Sequence, residues 1–148
     1  MDIKPLDDRL YVAAQPRLDE LEQLAEQGFR TIISNRPRGE SDDQPDPDAL
    51  KAKAKSLGMA WHEVPVKPGE YAKADIDAYS DVLHSAKAPV LGFCRTGKRV
   101  AHLWALSLAP QRPVSELIGS ANAAGYDLEP LRDRLEQQAH QAKGDSGS

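Results

Sequence analysis

The feature that most restricts the fold is the regular alternation of short apolar segments with segments of helical periodicity. Four segments have the composition of buried strands: Leu10–Ala13, Phe29–Ser34, Met59–Val66 and Val90–Phe93. Helical spacing of apolar residues predicts helices at about Leu18–Ala25, Ala49–Leu57, Asp75–Lys87, Val100–Ala109, Ser115–Ala124 and Pro130–Gln141. Strands joined by helices at such short spacing favour right-handed crossovers. The sequence therefore predicts an α/β fold with a central, mostly parallel sheet flanked by helices.

The length of the chain limits it to one domain. At 148 residues it can bury a single core, and nothing in the sequence marks a second one. We place the domain at residues 1–143 and predict that the polar tail, residues 144–148, is disordered.

Charge and cysteine content exclude several classes of function. The net charge of −4 gives no general attraction to nucleic acid or to acidic membranes. No apolar run approaches the ~20 residues that span a bilayer, and the charged start of the chain does not resemble a signal peptide. One cysteine forms no internal disulfide, which suits a reducing compartment, so we expect a cytoplasmic protein. The four histidines show no metal-binding spacing, and we predict neither a metal nor a cofactor.

That cysteine lies where an α/β sheet places its ligands. Cys94 follows the strand Val90–Phe93 directly and opens the loop Cys94-Arg95-Thr96-Gly97-Lys98-Arg99. Ligand sites of such sheets lie beyond the carboxyl ends of the strands. Gly97 permits a curled backbone whose N–H groups point inward, and the next helix adds the positive end of its dipole. The loop is therefore predicted to bind an anion and to favour the thiolate form of Cys94.

The loop and its surroundings supply a set of candidate site residues. Cys94 is the predicted nucleophile, and Arg99 has the planar fork that holds two oxygens of a phosphate or sulfonate-like group. The predicted substrate-binding residues are Arg95, Thr96, Gly97, Lys98 and Arg36, the last of which follows another buried strand. The alternative interpretation is an inert buried thiol, the common state of a single cysteine.

At these residues the chain resembles two families at once. The loop has four residues between Cys94 and Arg99, as in rhodaneses, whereas protein tyrosine and dual-specificity phosphatases have five. The order of elements, with the cysteine on a late strand followed by several helices, resembles the phosphatase fold.

Both features occur in the bacterial phosphatase-like domain of the beta-lactamase hydrolase-like family, which is also described as a sulfurtransferase or phosphatase. The chain is similar to that domain from about Leu10 to Asp127. Besides the cysteine loop, the matching segments are Tyr11-Val12-Ala13-Ala14-Gln15-Pro16, Gln27-Gly28-Phe29-Arg30-Thr31-Ile32-Ile33, Asn35-Arg36-Pro37 with Glu40, and Val64-Pro65-Val66. The resemblance implies a protein tyrosine phosphatase-like fold and a cysteine-bound intermediate.

The sequence departs from the phosphatase pattern at three places. Phe93 stands where phosphatases usually have His, and Val100 replaces a hydroxyl that assists departure of the cysteine thiolate. The expected aspartic acid is absent after the strand Met59–Val66, so the general acid must be another carboxyl group. We predict Glu70 for this role, because Asp75 suits a helix cap and Glu40 suits an ion pair with Arg36.

Three functions fit these residues. The first is a cysteine-dependent phosphatase acting on a small anionic ester or a phosphoprotein. The second is a sulfurtransferase, in which Cys94 carries a persulfide to a small thiol or a protein acceptor. The third is a non-catalytic, regulatory anion-binding module.

Overall fold

The computed structural model describes residues 1–146, and the side chains of residues 1–140. Its five strands are β1 (Lys4–Pro5), β2 (Leu10–Ala13), β3 (Thr31–Ser34), β4 (Ala60–Glu63) and β5 (Val90–Phe93). They form one sheet in the order β1-β2-β5-β3-β4, and only the β1–β2 pair is antiparallel. The predicted α/β fold with a mostly parallel sheet is confirmed.

Six α-helices connect and follow the strands. They are α1 (Glu20–Glu26), α2 (Pro47–Ser56), α3 (Lys73–Ser85), α4 (Lys98–Leu108), α5 (Val114–Ala123) and α6 (Arg132–Ser146). A short 3-10 helix, Glu129–Leu131, precedes α6. No helix in the described part of the chain is long and apolar enough to cross a membrane.

The helix boundaries differ from the predicted ones where capping decides them. Helix α2 begins at Pro47 because the Asp46 carboxylate accepts a hydrogen bond from the Asp48 amide at 3.0 Å and proline suits the first turn. Helix α5 begins at Val114, one residue before the predicted start at Ser115, so Pro113 and not Ser115 is its cap residue. Of the predicted tail, residues 144–146 continue the backbone of α6, and residues 147–148 lie outside the described residues.

Helices cover both faces of the sheet. On one face the core contains Tyr79 of α3 and Leu103 and Trp104 of α4, all fully buried. On the other face it contains Leu24 of α1 and Leu50 of α2. The central strands β5 and β3 are buried along their whole length, which explains the apolar sequence of β5 and the adjacent Ile32 and Ile33 of β3.

This arrangement brings the ends of three parallel strands to one edge. Gln15 follows β2, Asn35 follows β3 and Cys94 follows β5. Backbone hydrogen bonds join these extensions: the Asn35 amide donates to the Phe93 carbonyl at 2.9 Å, and the Gln15 amide donates to the Arg95 carbonyl at 3.3 Å. The cysteine loop is therefore held on both sides by the segments that follow neighbouring strands.

Candidate active site

The loop that follows β5 turns at Gly97. This residue has φ +97°, a left-handed conformation that glycine adopts without strain, and α4 begins at the next residue. Its amide donates a hydrogen bond to Cys94 Sγ at 3.0 Å. A Cβ at this position would collide with the hydroxyl of Tyr126, which donates to the Thr96 carbonyl at 3.2 Å. The loop therefore requires glycine both for its conformation and for close packing against Tyr126.

Cys94 is enclosed by this loop. The residue is 0 % exposed, and its Sγ accepts the Gly97 amide from within the fold. The contact predicted between loop N–H groups and the sulfur is thus present at Gly97.

A cavity of about 590 Å³, here called the arginine cavity, lies beside the loop. Its lining is Arg36, Glu40, Ser41, Pro68, Gly69, Tyr71, Arg95, Thr96, Lys98, Arg99 and His102. Four of these side chains are cationic and only one, Glu40, is a carboxylate. On a chain whose net charge is −4, this cavity is a local concentration of positive charge suited to an anion.

Arg99 forms the buried part of that cavity. Its side chain is only 5 % exposed; Nη1 and Nη2 donate to the two carboxylate oxygens of Glu40 at 2.8 and 2.9 Å, and Nη1 also donates to the Val66 carbonyl at 3.0 Å. Burial is the largest single influence and acts to lower the pKa of Arg99, but the Glu40 hydrogen bonds and the nearby negative charges together exceed it, so the pKa is raised. The guanidinium is therefore charged and fixed in orientation.

Glu40 joins Arg99 to Arg36. Arg36 Nε donates to Glu40 Oε1 at 2.9 Å, while its other donors reach Gln15 Oε1 at 3.1 Å and Ser41 Oγ at 2.8 Å. The Arg99 hydrogen bond is the main cause that lowers the pKa of Glu40; burial opposes it and Arg36 adds to it. The predicted Glu40–Arg36 pair is confirmed, but Glu40 also binds Arg99, a contact across 59 positions of sequence that spacing does not reveal.

The Glu40→Gln variant is expected to be less stable than the parent at neutral pH, by about 1–2 kcal/mol, because two nearly buried guanidinium groups lose their shared anion. Glu40 has a lowered pKa in the folded state, so its contribution is complete above the ordinary value of 4.5 and is lost as the pH falls through the lowered one. Urea unfolding of both proteins at pH 7 and at pH 3 to 4 measures this difference. We expect the difference in the free energy of unfolding between the parent and Glu40→Gln to be smaller at pH 3 to 4 than at pH 7.

The matched control is Glu129→Gln, which removes an exposed ion pair with Arg132. An equal loss of stability in Glu129→Gln and Glu40→Gln would contradict the assignment of Glu40 as the anion shared by the two buried arginines.

Of the remaining predicted site residues, some line the arginine cavity and one does not. Arg95, Thr96 and Lys98 are exposed at the rim of the arginine cavity, and neither cation forms an ion pair within residues 1–140. Glu70 is exposed and does not line the cavity, although its neighbours Gly69 and Tyr71 do. The structure therefore brings the loop residues and Arg36 together but leaves the Glu70 carboxylate outside.

Asp75 has the structural role expected for it. Its Oδ2 accepts a hydrogen bond from the Ala72 amide at 3.1 Å, at the start of α3. Within the described residues, no three side chains of His, Cys, Asp or Glu are grouped as a metal site.

Sequence reasoning missed the contribution of His102 and Tyr71 to the cavity wall. The Tyr71 hydroxyl and His102 Nδ1 are 2.9 Å apart. Burial, together with the nearby charge of Lys98, lowers the pKa of His102 to about 4, and burial raises the pKa of Tyr71. Both groups are thus neutral at pH 7, and a hydrogen bond between the Tyr71 hydroxyl and His102 Nδ1 joins them across the cavity wall. The sequence signal was only a histidine one turn into α4, and it did not identify the partner.

A mostly parallel sheet with a cysteine–arginine loop between its central strand and the next helix defines a protein tyrosine phosphatase-like domain. A kinase-associated phosphatase carrying a serine in place of its catalytic cysteine has the same fold, with a TM-score of 0.76 and 17 % identity over 90 % of this chain and 87 % of that one. That identity supports a shared fold alone.

Sequence comparison assigns the chain more narrowly. It belongs to the family of the phosphatase-like domain of the beta-lactamase hydrolase-like protein, whose model matches residues 2–111. It is 36 % identical over 149 aligned residues to the beta-lactamase hydrolase-like protein of Xylella fastidiosa (strain 9a5c), and 32 % identical over 136 residues to that of Agrobacterium fabrum. These alignments cover 99 % and 90 % of this chain, but only 35 % and 32 % of the relatives. The chain thus spans about a third of the length of these relatives.

One solved structure is about as similar to this chain in sequence as these relatives are. A Neisseria meningitidis protein described as a candidate phosphatase is 38 % identical, with a TM-score of 0.84 over 93 % of this chain and 99 % of that one. The recognition made from the cysteine loop and its flanking segments is confirmed, and the chain is a phosphatase-like domain.

Proposed function

We propose that the protein is a cysteine-dependent phosphatase acting on phosphate monoesters. The observation that carries this proposal is the arginine cavity: four cationic side chains, including the buried Arg99, face a single carboxylate beside the loop that contains Cys94. Membership of a phosphatase-like family supports the same reaction class. The substrate is a small anionic ester or a phosphorylated protein, since the cavity selects for the phosphate group.

The reaction proceeds in two displacements. The Cys94 thiolate attacks phosphorus, the phosphoryl group moves to Sγ, and the ester oxygen leaves as an alcohol after taking a proton from an acid. Water then attacks the phosphocysteine, which releases inorganic phosphate and restores the thiolate. Arg99, Arg36 and the loop amides stabilise the charge on the phosphoryl oxygens.

The enclosure of Cys94 sets a condition on this mechanism. Its sulfur is 0 % exposed, and Glu40 occupies Nη1 and Nη2 of Arg99, so the loop must open for a phosphate to enter. Arg99 Nε makes no hydrogen bond within the described residues and is a donor available to an incoming phosphate oxygen. Glu40 then orients Arg99 while Nε faces the substrate.

Glu70 is the proposed general acid. Glu40 is a poor proton donor because two arginines hold it ionised, whereas the Glu70 carboxylate is exposed and makes no ion pair within residues 1–140. Glu70 lies in the loop whose residues Gly69 and Tyr71 line the cavity, so an inward rotation of that loop brings it to the leaving group.

The Glu70→Gln variant is expected to lower kcat for phenyl phosphate about 10²-fold, because phenolate leaves poorly without a proton. With 4-nitrophenyl phosphate, whose leaving group needs little protonation, the loss is expected to be several-fold. Steady-state kinetics with both esters measures the contrast. Glu63→Gln, at a carboxylate paired with Arg38 away from the cavity, is the control. Equal rates for Glu70→Gln and the parent on phenyl phosphate would exclude Glu70 as the acid.

Sulfur transfer is the second candidate. It is favoured by the four-residue spacing between Cys94 and Arg99 and by the lack of an unpaired carboxylate in the cavity lining, since persulfide transfer needs no general acid. Incubation with thiosulfate followed by intact mass measurement would then show one added sulfur atom on Cys94, transferable to a small thiol or a protein acceptor. Absence of that adduct in a protein that hydrolyses phosphate esters decides for the phosphatase.

A further inference from the structure

A second cavity adjoins the arginine cavity. It has a volume of about 440 Å³ and shares three lining residues with the first: Thr96, Lys98 and His102. We call these three residues the ridge and the second space the distal cavity. Because the ridge residues line both spaces, a ligand held at Arg99 can extend across them. Together the two spaces are in the range of sites that hold organic ligands much larger than phosphate.

The two cavities differ in chemical character. The arginine cavity carries Arg36, Arg95 and Arg99 in addition to Lys98. Among the described residues that line it, the distal cavity has no cation beyond the shared Lys98, and it includes one carboxylate, that of Asp127. A second phosphate group would meet no arginine there. The distribution of charge therefore suits a phosphate group in the arginine cavity and an uncharged group in the distal cavity.

The walls of the distal cavity are suited to rings. Besides the ridge, Tyr126, Pro130 and Leu131 line it, and all three side chains have apolar surface. Tyr126 is fixed by its hydrogen bond to the Thr96 carbonyl, and Leu131 is packed against the core. Apolar walls whose positions are already fixed bind a rigid apolar group at low cost in conformational entropy.

We propose that the distal cavity binds the alcohol half of the substrate, and that the substrates are extended organic phosphate monoesters with apolar rings beyond the ester oxygen. This inference rests on the proposed phosphatase function. The phosphate sits at Arg99, the ester linkage crosses the ridge, and the rings pack against Tyr126, Pro130 and Leu131. These three residues then determine which ester is preferred.

Two aryl phosphates of different length test the assignment. Phenyl phosphate and biphenyl-4-yl phosphate have similar leaving groups, but the second carries one further ring. We expect the parent protein to show a kcat/KM for the longer ester about tenfold higher. Leu131→Trp and Pro130→Trp, two substitutions that fill the distal cavity, are each expected to bring this ratio close to one.

The matched control is Leu83→Trp. Leu83 is half-buried like Leu131, but it lines a separate cavity near Arg9. This variant is expected to keep the ratio of the parent. Circular dichroism and thermal melting select the folded variants, and Pro130 is exposed, so its replacement is the less disruptive of the two. A ratio near one in the parent, or a ratio unchanged in both folded cavity variants, would overturn the inference.

A binding measurement tests the distal cavity independently of the proposed phosphatase activity. Isothermal calorimetry of the Cys94→Ser protein with both esters measures affinity without turnover. Tighter binding of the longer ester that is lost when Leu131→Trp or Pro130→Trp is added supports the distal cavity as the site of the alcohol half. This holds even if the parent hydrolyses neither ester. Absence of hydrolysis would overturn the phosphatase proposal alone. Equal affinity for the two esters overturns the distal cavity even where both are hydrolysed.

Discussion

The Cys94→Ser variant is expected to lose at least about 10⁴-fold in phosphate ester hydrolysis, because a serine hydroxyl at this position has no base to activate it. Phosphate binding is expected to persist, since the guanidinium groups and loop amides that hold the anion are unchanged. The sulfur accepts the Gly97 amide at 3.0 Å, a contact that a serine oxygen can also make. Steady-state hydrolysis of phenyl phosphate and calorimetric titration with inorganic phosphate measure the two properties.

The outcome of that pair of measurements also separates the alternatives. Full hydrolysis by Cys94→Ser would show that the sulfur takes no part in the reaction. Phosphate binding in both proteins, with no turnover of phosphate esters or of thiosulfate by the parent, would leave an anion-binding regulatory module as the function.

The Arg99→Lys variant is expected to lower kcat/KM for phenyl phosphate about 10²- to 10³-fold while the protein stays folded. Lysine keeps the positive charge next to Glu40 but cannot donate to both its carboxylate oxygens, to the Val66 carbonyl and to substrate in fixed directions. The matched control is Arg38→Lys, at an exposed arginine that pairs with Asp48 and Glu63 away from the cavity. Hydrolysis kinetics and melting curves of both variants test this. A similar kcat/KM for Arg99→Lys and Arg38→Lys would contradict the assignment of Arg99.

The strands and the cysteine loop could be predicted because local sequence determines them. The strand Val90–Phe93 was predicted with its observed bounds, since a central parallel strand is apolar throughout. Strand β4 ends at Glu63, earlier than predicted, and two residues later Pro65 has no amide to continue a ladder. Strand β1 was missed because Lys4–Pro5 is exposed and has no apolar pattern.

The site could be predicted only in part, since its decisive contacts join distant segments. The Cys94 loop and Arg36 were identified because each follows a strand that ends at the same edge of the sheet. The shared role of Glu40 depends on how residues 35–41 fold back towards α4, and the Tyr71–His102 pair joins residues 31 positions apart. Neither contact leaves a periodic or compositional signal.

The proposed phosphatase reaction requires Cys94 to carry the phosphoryl group. A hydroxyl that assists departure of the thiolate in similar loops is replaced here by the buried Val100, so breakdown of the phosphocysteine is expected to be slow and the intermediate to accumulate. Mixing the protein with phenyl phosphate, quenching within milliseconds to seconds and measuring the intact and peptide masses should reveal one phosphoryl group on the peptide that contains Cys94, absent from Cys94→Ser. Steady release of phosphate with no such adduct, or with the adduct on another residue, would exclude Cys94 as the carrier of the phosphoryl group.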